Sequence, residues 1–181
     1  MVIYSTTLDG RRGTEVVYDL LGRVFYDEYG GDLPEIEKTL NGKPYFPDRP
    51  EIFFSLSHSR THVLCALSDH PVGVDIESPR EISARALTFF CSPDESALFE
   101  PLDLWVLKES YIKLMGGTLG LMKVLRFSRE GDGDVGGPGD VGRGTIIAPD
   151  GAVWARLYHF DGCCAAVCSL GGDLPEEIIA V

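Results

Sequence analysis

No apolar run in this 181-residue chain approaches the length of a membrane span, and Met1-Val2-Ile3-Tyr4-Ser5 lacks a signal-peptide pattern. Basic residues are scarce: 16 Lys and Arg stand against 28 Asp and Glu, for a net charge of -12. That balance argues against nucleic-acid and anionic-membrane partners in general, while leaving room for an anionic ligand held by a few focused basic groups. The five cysteines, Cys65, Cys91, Cys163, Cys164 and Cys168, show no Cys-x-x-Cys metal spacing. They read as reduced structural thiols of a cytoplasmic protein. A Gly-x-Ser-x-Gly elbow is missing, which removes the common serine-hydrolase reading. Residues 131–144 hold seven glycines but no Lys-Ser or Lys-Thr, so they predict a flexible hairpin connection rather than a P-loop. There is no internal repeat, and the length suits one domain or two small ones.

What is present reads as alternating strands and helices. Residues 2–8 predict a strand, and 14–29 a helix with Val17, Leu20, Leu21, Val24 and Phe25 on one stripe and Gly30-Gly31 as its stop. Arg11 and Arg12 precede that helix, where outward backbone N–H groups make an anion site plausible, although exposed arginines in a turn are often merely solvated. Residues 32–40 fit a short helix or a strand equally. Asn41-Gly42-Lys43-Pro44-Tyr45 is a turn that presents Lys43 on a stiffened loop. Residues 63–67 and 72–77 predict an antiparallel pair around Asp69-His70-Pro71. Ser92-Pro93-Asp94-Glu95 is a capping box opening a helix to about residue 100. A second helix follows Pro101 and stops at Gly116-Gly117. Residues 124–128, 153–158 and 164–170 predict strands, and the acidic tail from residue 172 predicts a loose end. Leu119, Leu121 and Met122, with Lys123 and Arg126 nearby, either form an exposed docking patch or begin the next strand and pack inward.

Three stretches carry candidate chemistry. Ile52-Phe53-Phe54-Ser55-Leu56-Ser57-His58-Ser59 ends a strand in hydroxyls and an imidazole, which suits either phosphate oxygens or a self-satisfied turn. In Val74-Asp75-Ile76-Glu77, period two places both carboxylates on one face. They are either solvated or gathered about a hard divalent cation such as Mg²⁺. Trp105-Val106-Leu107-Lys108-Glu109-Ser110-Tyr111-Ile112-Lys113 is a helix with Leu104, Leu107, Tyr111 and Leu114 on its inward face. Glu109 and Lys113, four apart, make an ordinary surface ion pair unless other groups join them.

Taken in order, Gly42-Lys43-Pro44, the Phe54-to-Ser59 stretch, Gly73 to Glu77, Phe89 to Glu95 and Trp105 to Lys113 resemble the 4′-phosphopantetheinyl transferases of the Sfp type. The resemblance implies an α+β fold, a pseudo-dimer of two halves, each with a small antiparallel sheet and a packed helix. The halves would be residues 1–71, shortened and carrying coenzyme A contacts, and residues 72–181, carrying the metal site and catalytic helix. By the family pattern Asp75, Glu77 and Glu109 would hold Mg²⁺. Lys43, Ser57, His58 and Lys113 would contact coenzyme A phosphates, with Lys108 supporting them. Glu109, directly or through a water, would be the base, and Lys113 would act on the reacting phosphate. Ser55 stands where the family usually has asparagine. The basic groups that would hold the 3′-phosphate are missing from the short first half, leaving Arg11 and Arg12 as local replacements. The implied activity is transfer of the phosphopantetheine arm from coenzyme A to a serine of an apo acyl or peptidyl carrier protein, by a monomer without nucleic-acid or membrane partners. A Mg²⁺-dependent phosphohydrolase and a non-catalytic coenzyme A or carrier-binding module are the alternatives.

Overall fold

Alternation within a few strands decides the architecture. The computed structural model describes residues 1–130, 145–149, 151–172 and 174–181. Strand β1 (Val2–Thr7) leads into helix α1 (Gly13–Tyr29), and a small ribbon of β2 (Glu37–Lys38) and β3 (Pro44–Tyr45) turns at Gly42, where φ is 85°. Strands β4 (Phe53–His58), β5 (His62–Ser68) and β6 (Val72–Glu77) follow. Then come α2 (Ala84–Phe90), α3 (Pro93–Ser96), α4 (Pro101–Met115) and a 3₁₀ turn (Leu119–Lys123). Strands β7 (Ser128–Glu130), β8 (Thr145–Ile147), β9 (Trp154–Phe160), β10 (Cys163–Ser169) and β11 (Ile179–Ala180) complete the chain.

One sheet runs β11-β1-β5-β4 and the other β6-β10-β9-β8-β7. In β5, Val63, Cys65 and Leu67 pack under Leu20, Leu21, Val24 and Phe25 of α1, while Leu64 and Ala66 face the second sheet. In β10 the same alternation turns Cys164, Ala166 and Cys168 toward α4, and Ala165 and Val167 toward the first sheet. Each sheet thus has a helix on its outer face, and the inner faces share a core with Ile3, Val74 and Ile76. Because both faces are covered, β5 and β10 are buried throughout.

Four expectations change. The β5–β6 hairpin does not form: the turn between them switches sheets, and β6 pairs with β10 instead. Alternation fixes which face of β6 a side chain takes, not which strand lies beside it, so sequence pattern could not decide this. The outer edge of β6 is closed by side chains, with Val74 N donating to Ser55 Oγ at 3.0 Å and Ile76 N to Ser57 Oγ at 3.3 Å. The tail is docked, not loose. Arg156 donates to the Leu174 and Pro175 carbonyls, Tyr158 Oη donates to Pro175 O at 2.6 Å, and β11 joins β1 in parallel. The helix opened by the capping box is one turn, α3, and residues 124–127 are irregular, with strand starting only at Ser128. Residues 131–144, read above as a flexible connection, lie outside the described residues, between the paired strands β7 and β8. Of the docking candidates Met122 is buried, Leu121 partly so, and Leu119 exposed.

Candidate active site

The approach of α4 to β6 builds the site. A Cβ on Gly73 would lie 2.1 Å from the Ser110 carbonyl oxygen and 2.3 Å from Leu114 N, so helix backbone rests directly on the strand there. Asp75 and Glu77 follow Gly73 on the same strand face at period two, and Glu109 and Lys113 bracket Ser110 on the helix. Asp75, Glu77, Glu109 and Lys113 therefore line one cleft of about 410 Å³, with Ser57, His58, Thr14, Tyr18 and Trp105. His58, exposed at the end of β4, packs its ring on Gly13 at the start of α1, where a Cβ would lie 2.3 Å from it.

Lys113 does not pair with Glu109. Its Nζ reaches Asp75 Oδ1 and Ser57 Oγ, each at 2.8 Å. Ser57 Oγ also donates to Asp75 Oδ1 at 2.8 Å and accepts from Ile76 N, so its one proton and both lone pairs are engaged. Glu77 is paired with Arg80 at 2.9 Å. Burial pushes Glu109 up to about 7, helped by the charges of Asp75 and Glu77 and opposed by Lys113 and Arg80. Three carboxylates facing two cations leave an excess of hard oxygen donors, the donor type a magnesium ion takes. Among the described residues, however, the one set of three acidic, histidine or cysteine side chains with all ligand atoms within 4.8 Å of one another lies elsewhere, at Asp103, His159 and Cys164. The cleft carboxylates converge more loosely, with Asp75 held by Lys113 and Glu77 by Arg80.

The sequence has known relatives. A family model described as the 4′-phosphopantetheinyl transferase superfamily matches residues 71–139, which include β6 and α4. The chain is 35% identical over 154 residues to the 4′-phosphopantetheinyl transferase Sfp of Bacillus subtilis (strain 168), covering 77% of this chain and 65% of that protein. Residues 71–139 are thus a 4′-phosphopantetheinyl transferase superfamily segment. It is also 35% identical over 121 residues to the transferase psf-1 of Bacillus pumilus (60% of this chain, 52% of that one). With gsp of Aneurinibacillus migulanus it shares 39% over 89 residues (44% and 37%). The chain thus spans a little under two thirds of the length of Sfp and less of the other two.

The remaining sequence candidates are placed differently. Lys108, grouped above with the coenzyme A contacts, is wholly buried on another side of α4 and does not reach the cleft. Its ammonium pairs with Glu95 at 2.9 Å and also donates to the carbonyls of Phe90, Leu125 and Met122. Against the desolvation of burial, bonds from Ser92 N–H, Lys108 and Phe127 N–H hold Glu95 below the usual carboxylate range. The capping-box glutamate is therefore also the lysine's counter-ion. Lys43 lies beside the cleft: its Nζ donates to Leu114 O at 2.6 Å and Val72 O at 3.4 Å, and burial lowers it to about 8. Asn41 Nδ2 donates to Gly116 O at 2.8 Å, so this loop clasps the C-terminal end of α4, closed by Gly116 at φ 61°. Arg11 is engaged by Glu15 and Asp19 on the surface of α1, whereas Arg12 is the exposed residue at the helix start.

Sequence reasoning passed over Arg80 and Trp105 as site residues. Arg80 pairs with Glu77 at i,i+3 and stacks over the Trp105 ring at 4.9 Å, forming one wall. The i,i+3 spacing to an acid was the available signal, hidden because Arg80 lies just past the end of a strand.

Proposed function

We propose that this chain transfers the 4′-phosphopantetheine arm of coenzyme A to a serine hydroxyl of an apo acyl or peptidyl carrier protein. The observation that carries the reading is the meeting of Asp75, Glu77, Glu109 and Lys113 in one cleft of a chain whose relatives bear that activity in their names. The two sheets with their outer helices support the pseudo-dimer reading, with residues 1–71 as the shortened first half and residues 72–181 as the second.

In the transfer, a bond forms between the serine oxygen and the phosphorus bearing the pantetheine arm. The bond to adenosine 3′,5′-bisphosphate breaks, and the serine proton must be taken up. Glu109, lining the cleft beside Asp75 and Glu77, would accept it, directly or through a water. Lys113 is the cation that meets the growing negative charge on the leaving phosphate, and it does so by turning from Asp75 and Ser57 to the substrate. His58, in the cleft, and Arg12, exposed at the start of α1, would meet the outer phosphates, and Arg11 would join them only by leaving its acidic partners. Lys43 supports the end of α4 from behind and contacts a phosphate only by leaving the Leu114 carbonyl. Asp75, Glu77 and Glu109 would hold Mg²⁺, which when bound neutralises pyrophosphate charge. The cleft is built within one chain, which suits a monomer, and the free thiols suit a reducing cytoplasm.

The test is mass spectrometry of an apo carrier protein incubated with coenzyme A, Mg²⁺ and the full chain. A mass gain of one phosphopantetheine arm on the carrier is expected. Hydrolysis of coenzyme A with the carrier unchanged would point to the phosphohydrolase instead, and binding without either product to a non-catalytic module.

A further inference from the structure

A second group of ligand-type side chains sits at the opposite end of α4 from Lys113. Asp103, in the first turn of the helix, accepts from Cys164 Sγ at 2.9 Å and lies 2.8 Å from His159 Nε2, both bonds converging on the same oxygen, Oδ1. The three ligand atoms lie within 4.8 Å of one another. Three elements supply them: the helix, β9 and β10. Cys164 faces α4 because period two along β10 turns it away from Cys163, whose thiol lies against His62 and Thr61 on the other side of the sheet.

We propose that Asp103, His159 and Cys164 form a binding site for a borderline-soft divalent transition metal such as Zn²⁺, separate from the all-oxygen cleft. The ligand set is one thiolate, one imidazole and one carboxylate, a mixture that suits zinc and that magnesium does not seek. Cys164 and Asp103 are sheltered while the His159 side chain is 41% exposed, so three protein ligands close the inner side and solvent reaches the fourth position. Binding displaces the Cys164 thiol proton to solvent and takes the His159 ring as the neutral form, with no change of oxidation state. Burial beside the Asp103 carboxylate makes the thiolate unfavourable without a cation, so the thiol is unreactive until a metal supplies the missing positive charge. Arg129, stacked over Phe99, adds a positive charge close enough to act on Asp103 and His159. The thiolate and carboxylate together outweigh it. Asp103 and Glu109 are six residues apart, about 9 Å along the helix axis, so one helix serves two sites that sort metals by ligand softness.

The test uses Co²⁺ as a spectroscopic probe on the full chain in excess Mg²⁺, which keeps oxygen-only sites filled. Expected is a thiolate-to-cobalt charge-transfer absorption that saturates at one metal per chain and is erased by Zn²⁺. Cys164→Ser should remove it and Cys163→Ser should not. Cys164 is buried, so a misfolded variant could mimic the first result. His159→Ala, at the surface, should keep the fold and weaken cobalt binding by more than the roughly tenfold that even a supporting outer partner costs. No such absorption in the parent chain, absorption surviving Cys164→Ser, or unchanged affinity in His159→Ala would each overturn the assignment.

Discussion

Lys108 and Lys113 sit five residues apart on α4, about 140° around it, and each makes an ion pair of nearly the same length. Lys108 and Glu95 are 0% and 2% exposed, while Lys113 and Asp75 are 31% and 9% exposed. The first pair is enclosed by carbonyls and fixed, and it joins α3 and the chain around residue 127 to the helix. The second opens on a cleft, where water or a ligand can exchange for either partner. The same chemistry thus lies sealed in the core on one side of the helix and lines the candidate site on the other, and burial alone separates the two.

The largest expected effect comes from breaking the enclosed pair. Lys108→Ala should destabilise the fold by about 3–5 kcal/mol in urea unfolding, since it leaves Glu95 buried without its counter-ion. Lys108→Met, with Glu95→Gln beside it, should recover most of that loss. Lys113→Ala should cost no more than about 1 kcal/mol of stability, as suits a partly exposed pair. It should nevertheless lower transfer by about 10²–10³-fold, the usual loss when a charge-stabilising donor is removed. Equal stability losses in the two alanine variants would erase the distinction. Gly73→Ala comes next, at about 1–3 kcal/mol for overpacking, because its Cβ must push α4 off β6. It should hurt transfer along with stability, since the same contact brings Glu109 to Asp75.

A further effect concerns pH. Glu109 has a folded value of about 7 against an ordinary 4.5, so in metal-free protein it favours folding below 4.5 and loses that contribution as pH rises toward 7. Glu109→Gln should flatten this part of the stability profile. A variant whose slope between those limits matched the parent would show that Glu109 is not desolvated as described.

Much of the frame was legible from pattern alone. Helix α1 and its apolar stripe, strands β4, β5 and β6 as separate elements, the capping box and the glycine stop of α4 all depend on local spacing. The gathering of Asp75, Glu77, Glu109 and Lys113 was read from the order of the motifs in the chain, since no spacing joins a strand at 75 to a helix at 113. Partner choice was not legible. Nothing in the alternation of β6 says β10 rather than β5, and nothing in Lys113 says Asp75 rather than Glu109. Lys108 lies within the same motif as Lys113, and only the packing of α2, α3 and the 3₁₀ turn around it reveals a core residue.

The docking of β11 against β1 has a consequence in time. Strand β1 receives one of its two neighbours, β11, only after roughly 170 intervening residues have been made. At about 5–20 residues per second, that edge of β1 waits some 10–35 s for Ile179 and Ala180. During that interval the nascent chain carries an open β edge, the kind of surface on which chains of different copies pair wrongly.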